Sequence, residues 1–108
     1  MSAARIRELN DAYRCHGVGN GRTVYTRSLT DLGLGFQLAA LLCVKSYSDF
    51  ANGNDPHGEH DFGSFELDGE KVFWKIDYYD RNLEYGSEDP GDPEQTTRVL
   101  TIMLAEDY

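Results

Sequence analysis

Apolar positions recur at helical spacing near the start of the chain. Ile6, Leu9 and Tyr13 share one face between residues 3 and 15, while Arg5, Glu8, Asp11 and Arg14 can turn to water. This pattern predicts an amphipathic helix that ends before His16, where Gly17, Gly19 and Gly21 stop it. Arg22–Arg27 is β-branched and aromatic and predicts a short strand. Ser28 or Thr30 can cap the next helix, which Gly33 and Gly35 delay to about Leu34. From there to Tyr47 the apolar residues wrap most of the way round, which predicts deep burial against a sheet and a leading share of the core. Asn-Gly, Asn-Asp and Asp-Pro then mark turns in 49–56. The second half alternates instead. Phe62–Leu67 and Lys71–Tyr79 flank Asp68-Gly69, a strong two-residue hairpin signal. That turn sets Leu67 against Glu70, Glu66 against Lys71 and Phe65 against Val72. It places Val72, Trp74, Ile76 and Tyr78 on the core face and Phe73, Lys75, Asp77 and Tyr79 on the other. An exposed loop follows over 81–94, and Thr96–Leu104 predicts a third strand of the meander. The expected fold class is α+β. Two helices pack on one face of an antiparallel three- to four-stranded sheet, in the order α-β-α-β-β-β.

With 108 residues, 40% of them hydrophobic, the chain can build one core and reads as a single domain over 1–108. No run approaches the ~18 apolar residues of a membrane span. The first residues lack the apolar centre of a secretion signal, so the expected location is cytoplasmic, with no membrane role. Cys15 and Cys43 are then expected as reduced, small apolar groups rather than a disulfide or a catalytic pair.

Charge changes the picture more. Acids outnumber bases 19 to 10, which argues against direct nucleic-acid binding through a basic surface. The imbalance is local. Residues 1–48 are mildly basic, whereas 49–94 carry fourteen acids against Lys71, Lys75 and Arg81. Such a block is either solvated surface or a face presented to a basic partner. Glu66, Asp77, Asp80, Glu84, Glu88, Asp89, Asp92 and Glu94 are the residues of that candidate face.

The densest cluster of chemically capable side chains is Asn54–Asp61. Asp55, His57, Glu59, His60 and Asp61 supply the imidazole and carboxylate donors that Zn²⁺ or Mn²⁺ prefers. The spacing is not that of a helical metalloprotease motif, and a third donor such as His16 or Asp77 would have to converge on it. The alternative is a turn whose polar side chains bond to backbone. A hydrolytic version makes His60 the general base, oriented by Glu59 or Asp61, with Ser64 as a candidate nucleophile. Gly17–Gly21 is glycine-rich but follows a helix and lacks the lysine of a phosphate loop. Phe73 and Tyr79, aromatic and set among charges, suit a protein interface, including one between copies of the chain.

Four strings carry a family likeness: Asn54–Gly63 (NDPHGEHDFG), Val72–Tyr79 (VFWKIDYY), Ser87–Pro93 (SEDPGDP) and Thr97–Ala105 (TRVLTIMLA). Together with Arg7–Asp11, they resemble DUF3768, a family of small bacterial proteins of unknown function. The resemblance covers most of the chain and is weakest over Arg22–Leu34. It implies no established activity. It is similar to the accessory proteins of plasmids and mobile elements, a setting that suits an anti-restriction or anti-CRISPR role. The leading expectation is therefore a non-enzymatic acidic module without a cofactor. Its partner would be a protein with a basic surface, such as a nucleic-acid-handling complex. The competing expectations are a small Zn- or Mn-dependent hydrolase centred on Asn54–Asp61 and a self-associating module.

Overall fold

The computed structural model describes residues 2–51 and 53–108. Its elements are α1 (Ala3–His16), β1 (Gly21–Tyr25), α2 (Arg27–Thr30), α3 (Leu34–Ser46), β2 (Phe62–Leu67), β3 (Glu70–Tyr79) and β4 (Thr97–Leu104), followed by a 3-10 turn at Ala105–Asp107. Gly17, at φ 69°, closes α1 by donating its N–H to the Tyr13 carbonyl. The hairpin forms in the expected register, with Phe65 opposite Val72 and Glu66 opposite Lys71. Asp68 and Gly69 both lie at positive φ, as the tight turn demands.

The sheet is mixed rather than antiparallel. Its order is β1-β4-β3-β2, and β1 runs parallel to β4, with Thr23 beside Leu100. The two strands are separated by the helices and the hairpin, so neither turn chemistry nor alternation reports their relative direction. Helices cover one face. Val72, Trp74 and Ile76 from β3 join Leu100, Ile102 and Leu104 from β4, and Leu29, Ala40 and Val44 close over them. Trp74 is completely buried, and its seat depends on Gly63. A Cβ there would sit 2.4 Å from the indole Nε1 and 2.8 Å from the Tyr47 ring.

Three expectations about the helices are corrected. Ser28 and Thr30 do not cap α3; they belong to α2, whose Leu29 is fully buried. Nor is α3 deeply buried. Only Ala40 and Val44 of its side chains are, while Leu34, Leu38 and Leu42 are 68%, 52% and 65% exposed. The helix is apolar on all sides, so its sequence does not say which side meets the sheet. The core belongs to β3 and β4 instead. On α1 the buried stripe is Ile6, Asn10 and Arg14 rather than Ile6, Leu9 and Tyr13.

The uncovered face of the sheet holds Phe73, in edge-to-face contact with Phe62 and Tyr108 at centroid distances of 5.4 and 5.1 Å. Tyr79 lies six residues further along β3, beside Thr97 and bridged to Gly86. The two aromatics therefore belong to separate patches, and the C-terminal tyrosine packs on the first.

Candidate functional site

Burial of Asn10 and Arg14 follows from their place on the inward stripe of α1, four residues apart. Each hydrogen-bonds to distant backbone, although the buried Arg14 Nε has no partner among the described residues. Arg14 sends Nη1 to the carbonyls of Val44 at 2.6 Å and Tyr47 at 3.0 Å, at the C-terminal end of α3. Its guanidinium carbon lies 5.0 Å from the Trp74 ring and 5.3 Å from the Phe50 ring. Asn10 donates to the Glu59 carbonyl at 2.9 Å and the Tyr78 hydroxyl at 2.8 Å, and accepts from Arg98 Nε at 2.6 Å. Tyr78 in turn donates to the Glu59 carboxylate at 3.0 Å. Burial pushes the Tyr78 phenol above its ordinary range and the Arg98 guanidinium below its own.

Beside this network lies a cleft of about 840 Å³ between α1, the end of α3 and the 47–60 segment, with Asp11, Cys15, His16, Lys45 and His60 in its walls. His60 is the focus of the 54–61 cluster. It sits at φ 55°, unusual for a residue with a Cβ. Three contacts hold it there. Its N–H donates to Asp55 Oδ1 at 3.1 Å, its Nδ1 lies 2.9 Å from Asp11 Oδ1, and its ring stacks on Phe50 at 3.7 Å. Asp55 Oδ2 lies 3.7 Å from Nε2 on the opposite side of the ring.

The remaining members of the cluster are placed differently from a ligand set. His57 is exposed. Glu59 is engaged by Tyr78, and Asp61 accepts the Ile76 N–H through its backbone carbonyl. Among the described residues no three His, Cys, Asp or Glu side chains converge as metal ligands. The partner of His60 is Asp11, 49 residues away, and neither Glu59 nor Asp61. Ser64 faces the uncovered side of the sheet, away from the Phe50–Trp74 side on which His60 packs. Of the turn-forming reading of 54–61, Asp55 bonds to backbone at the His60 N–H, whereas the His60 ring pairs with a carboxylate of α1. Asn10, Asp11, Arg14 and Arg98 complete this site and were not singled out from the sequence. Its one local trace is the spacing of Asn10 and Arg14 from Ile6.

Asp61 gives a direct test of the local electrostatics. Burial raises its pKa above the usual 3.8, and the Glu59 and Asp55 carboxylates add to the effect. A carboxyl raised in the folded state contributes stability that is full below the unfolded pKa and lost as pH rises through the folded one. Asp61→Asn is therefore expected to raise the melting temperature at pH 7, with the gain shrinking as pH falls towards about 4. A gain of equal size at both pH values would contradict this origin.

The acidic residues divide into three regions. Glu66 lies near the hairpin tip, and Asp77 is on the uncovered face, ion-paired to Lys75 at 2.9 Å. That hydrogen bond holds the Lys75 pKa up. The others occupy the β3–β4 loop at the far end of β3, about 26 Å from Glu66 at ~3.3 Å per residue.

This loop is fastened at its base by Asp80 N–H to the Tyr85 carbonyl at 2.8 Å and Ser87 N–H to the Tyr78 carbonyl at 3.0 Å. Asp80, Asp89 and Asp92 turn their carboxylates onto the loop's own N–H groups. Thr96, fully buried, joins Ser87 at 2.7 Å and the Asp89 carbonyl at 2.8 Å, and Arg98 donates to the Pro90 carbonyl. Glu84, Glu88 and Glu94 are exposed, and the backbone of Glu84 and Glu94, rather than any of the three carboxylates, takes part in the hydrogen bonds that hold the loop. Asp80, Glu88 and Glu94 share a cleft of about 440 Å³ with Arg81 and Tyr85, and Tyr85 is 72% exposed.

A family model described as a protein of unknown function, DUF3768, matches residues 25–107. The chain belongs to the DUF3768 family. The matched region of this DUF3768 protein includes α2, α3, the 54–61 segment, the hairpin, the acidic loop and β4, and begins after α1. The Arg7–Asp11 string of the expected likeness lies outside it. No curated protein and no solved structure matches the chain. Among the described residues, no helix is long and apolar enough to cross a membrane.

Proposed function

We propose that this DUF3768 domain acts by binding a protein with a basic surface, and that the β3–β4 loop is its contact element. The observation carrying this reading is the density of hydrogen bonds that order the loop. Connections longer than ~12–15 residues without regular structure are uncommon in small domains and are either disordered or functional. This one is tied at its base, along its length and to Thr96 and Arg98 in the body of the fold. Three of its carboxylates hold the loop, and three glutamates with Tyr85 point outward. A preordered display of negative charge around an aromatic side chain suits recognition of Lys/Arg-rich protein surfaces, because little loop entropy is lost on docking.

A basic surface made to hold phosphates is one such target. The partner class we infer is a nucleic-acid-handling complex, with inhibition by occupation of its nucleic-acid groove. Restriction or CRISPR machinery is the specific form to test.

Tagged wild type and a Glu84→Gln/Glu88→Gln/Glu94→Gln variant, presented to a purified restriction or CRISPR effector, distinguish the outcomes. Capture by the wild type at ~50 mM salt, lost towards ~500 mM and absent for the variant, is expected, since surface charge is screened within a few ångströms at high salt. Capture that ignores both salt and the substitutions would overturn the reading. Unfolding free energies of the two proteins from urea titration should agree within about 0.5 kcal/mol, because the three carboxylates lie outside the bonds that hold the loop.

A further inference from the structure

The exposed side of α3 goes beyond the acidic loop and is unrelated to it. Leu34, Leu38 and Leu42 stand at i, i+4 and i+8, forming one apolar ridge of about 12 Å that the described residues leave largely exposed. Gly35 lies beside this ridge in the first turn of α3. No heavy atom of the rest of the fold comes within 4 Å of where its Cβ would be. No packing within the fold requires a glycine at this position. The missing side chain does leave room for a neighbour's backbone to approach.

The ridge is also symmetric about its centre. Leu34 and Leu42 are each four residues from Leu38. Exposed Asp31, in a solvent-open pair 3.7 Å from Arg27 of its own chain, lies in the turn entering α3, and exposed Lys45 lies on its last turn.

We propose that α3 is a homodimer interface, occupied by α3 of a second copy in antiparallel orientation about a two-fold axis at Leu38. In that arrangement Leu38 meets its own counterpart, and each Leu34 meets the partner's Leu42. The Asp31 end of each helix meets the Lys45 end of the other, so opposite charges face across both rims. A two-fold interface must be complementary to itself, and this ridge meets that condition in apolar shape and in charge. A parallel pairing would set Asp31 against Asp31 and Lys45 against Lys45. A shallow crossing of about 20°, the geometry of neighbouring antiparallel bundle helices, keeps the three leucines and both rims within reach of the partner. Three leucines a side make a small interface, so the dimer is expected to dissociate on dilution.

Sedimentation equilibrium of the full chain tests this. The mass should rise from 12.2 kDa at low concentration towards twice that value. Leu38→Glu brings two carboxylates together on the axis and should leave a monomer. Leu42→Lys should do the same, and unchanged far-ultraviolet circular dichroism shows that both variants remain folded. Asp31→Lys and Lys45→Glu, taken singly, turn both rim pairs repulsive and should each weaken the dimer about tenfold. An equimolar mixture of those two variants should recover wild-type affinity, because each heterodimer contact is again Lys against Asp or Lys against Glu. Wild type that stays monomeric up to roughly 1 mM would overturn the proposal and leave the ridge to a different protein. A dimer that survives Leu38→Glu would place the interface elsewhere and overturn it too. So would a mixture no tighter than the single variants.

Discussion

Arg14→Ala is expected to lower the unfolding free energy by about 3–5 kcal/mol, a large part of the 5–15 kcal/mol typical of a small domain. The side chain is 3% exposed and serves several elements at once. Its Nη1 satisfies the carbonyls of Val44 and Tyr47, whose orientation at the end of α3 concentrates negative charge there. Hydrogen bonds from a charged donor contribute about 1.5–3 kcal/mol each. The guanidinium also covers the faces of Phe50 and Trp74, which adds roughly 0.5–2 kcal/mol. Alanine removes all of this, leaving the Tyr47 carbonyl without that donor and the Val44 carbonyl with only the Tyr47 N–H. Arg14→Lys keeps the charge but loses the planar fork, and should recover less than half of the deficit. Urea unfolding followed by Trp74 fluorescence measures both variants. A loss below about 1 kcal/mol for the alanine variant would show that water replaces the guanidinium, and that the helices do not depend on this joint.

Asn10→Leu is the second large effect, expected at about 3–4 kcal/mol. Leucine is similar in size and apolar, so the change tests hydrogen bonding rather than volume. It removes the acceptor of Arg98 Nε, a guanidinium with 3% exposure, together with the donors to Tyr78 and to the Glu59 carbonyl. A buried charge without its partner is among the most destabilising defects. Arg98 also holds the Pro90 carbonyl, so the loss should reach the acidic loop. Amide hydrogen exchange over 80–96 should quicken relative to the hairpin. Asn10→Asp should instead retain much of the stability near neutral pH, because a carboxylate accepts from Arg98 even though it cannot donate to Tyr78. If leucine is tolerated within about 1 kcal/mol, Arg98 has an alternative partner and the network is not what joins α1 to the sheet.

These two residues also show where sequence reasoning reaches its limit. The hairpin register was readable because Asp68-Gly69 fixes it within four residues, and alternation along β3 then sorts Trp74 from Phe73. The start of α3 was readable because Gly33 and Gly35 punctuate the chain locally. Arg14 looked like a solvent-facing residue of an amphipathic helix, since its partners are carbonyls of Val44 and Tyr47, some thirty residues on. A backbone acceptor carries no residue identity that a sequence could display. His60 drew attention by its composition-rich surroundings, yet its carboxylate partner comes from α1. The parallel direction of β1 has the same cause, because it depends on where the intervening helices leave the chain. The acidic block was correctly seen as a block in sequence, but β3 runs straight through it and carries its two ends to opposite edges of the molecule.

The strand order has a consequence for how the protein is made. β4 comes last of the four strands along the chain, yet it lies between β1 and β3 and supplies Leu100, Ile102 and Leu104 to the interior. A nascent chain on the ribosome can close the β2–β3 hairpin from local contacts, but β1 has no neighbour until residues 97–104 emerge. Until then Trp74, Leu29 and the inner side of α3 have no lid, and the free edges of β1 and β3 are open to other chains. Synthesis therefore leaves an interval in which the domain depends on chaperones or on speed of translation. A stalled or clipped product ending before residue 97 would be sticky and short-lived rather than a smaller version of the same fold.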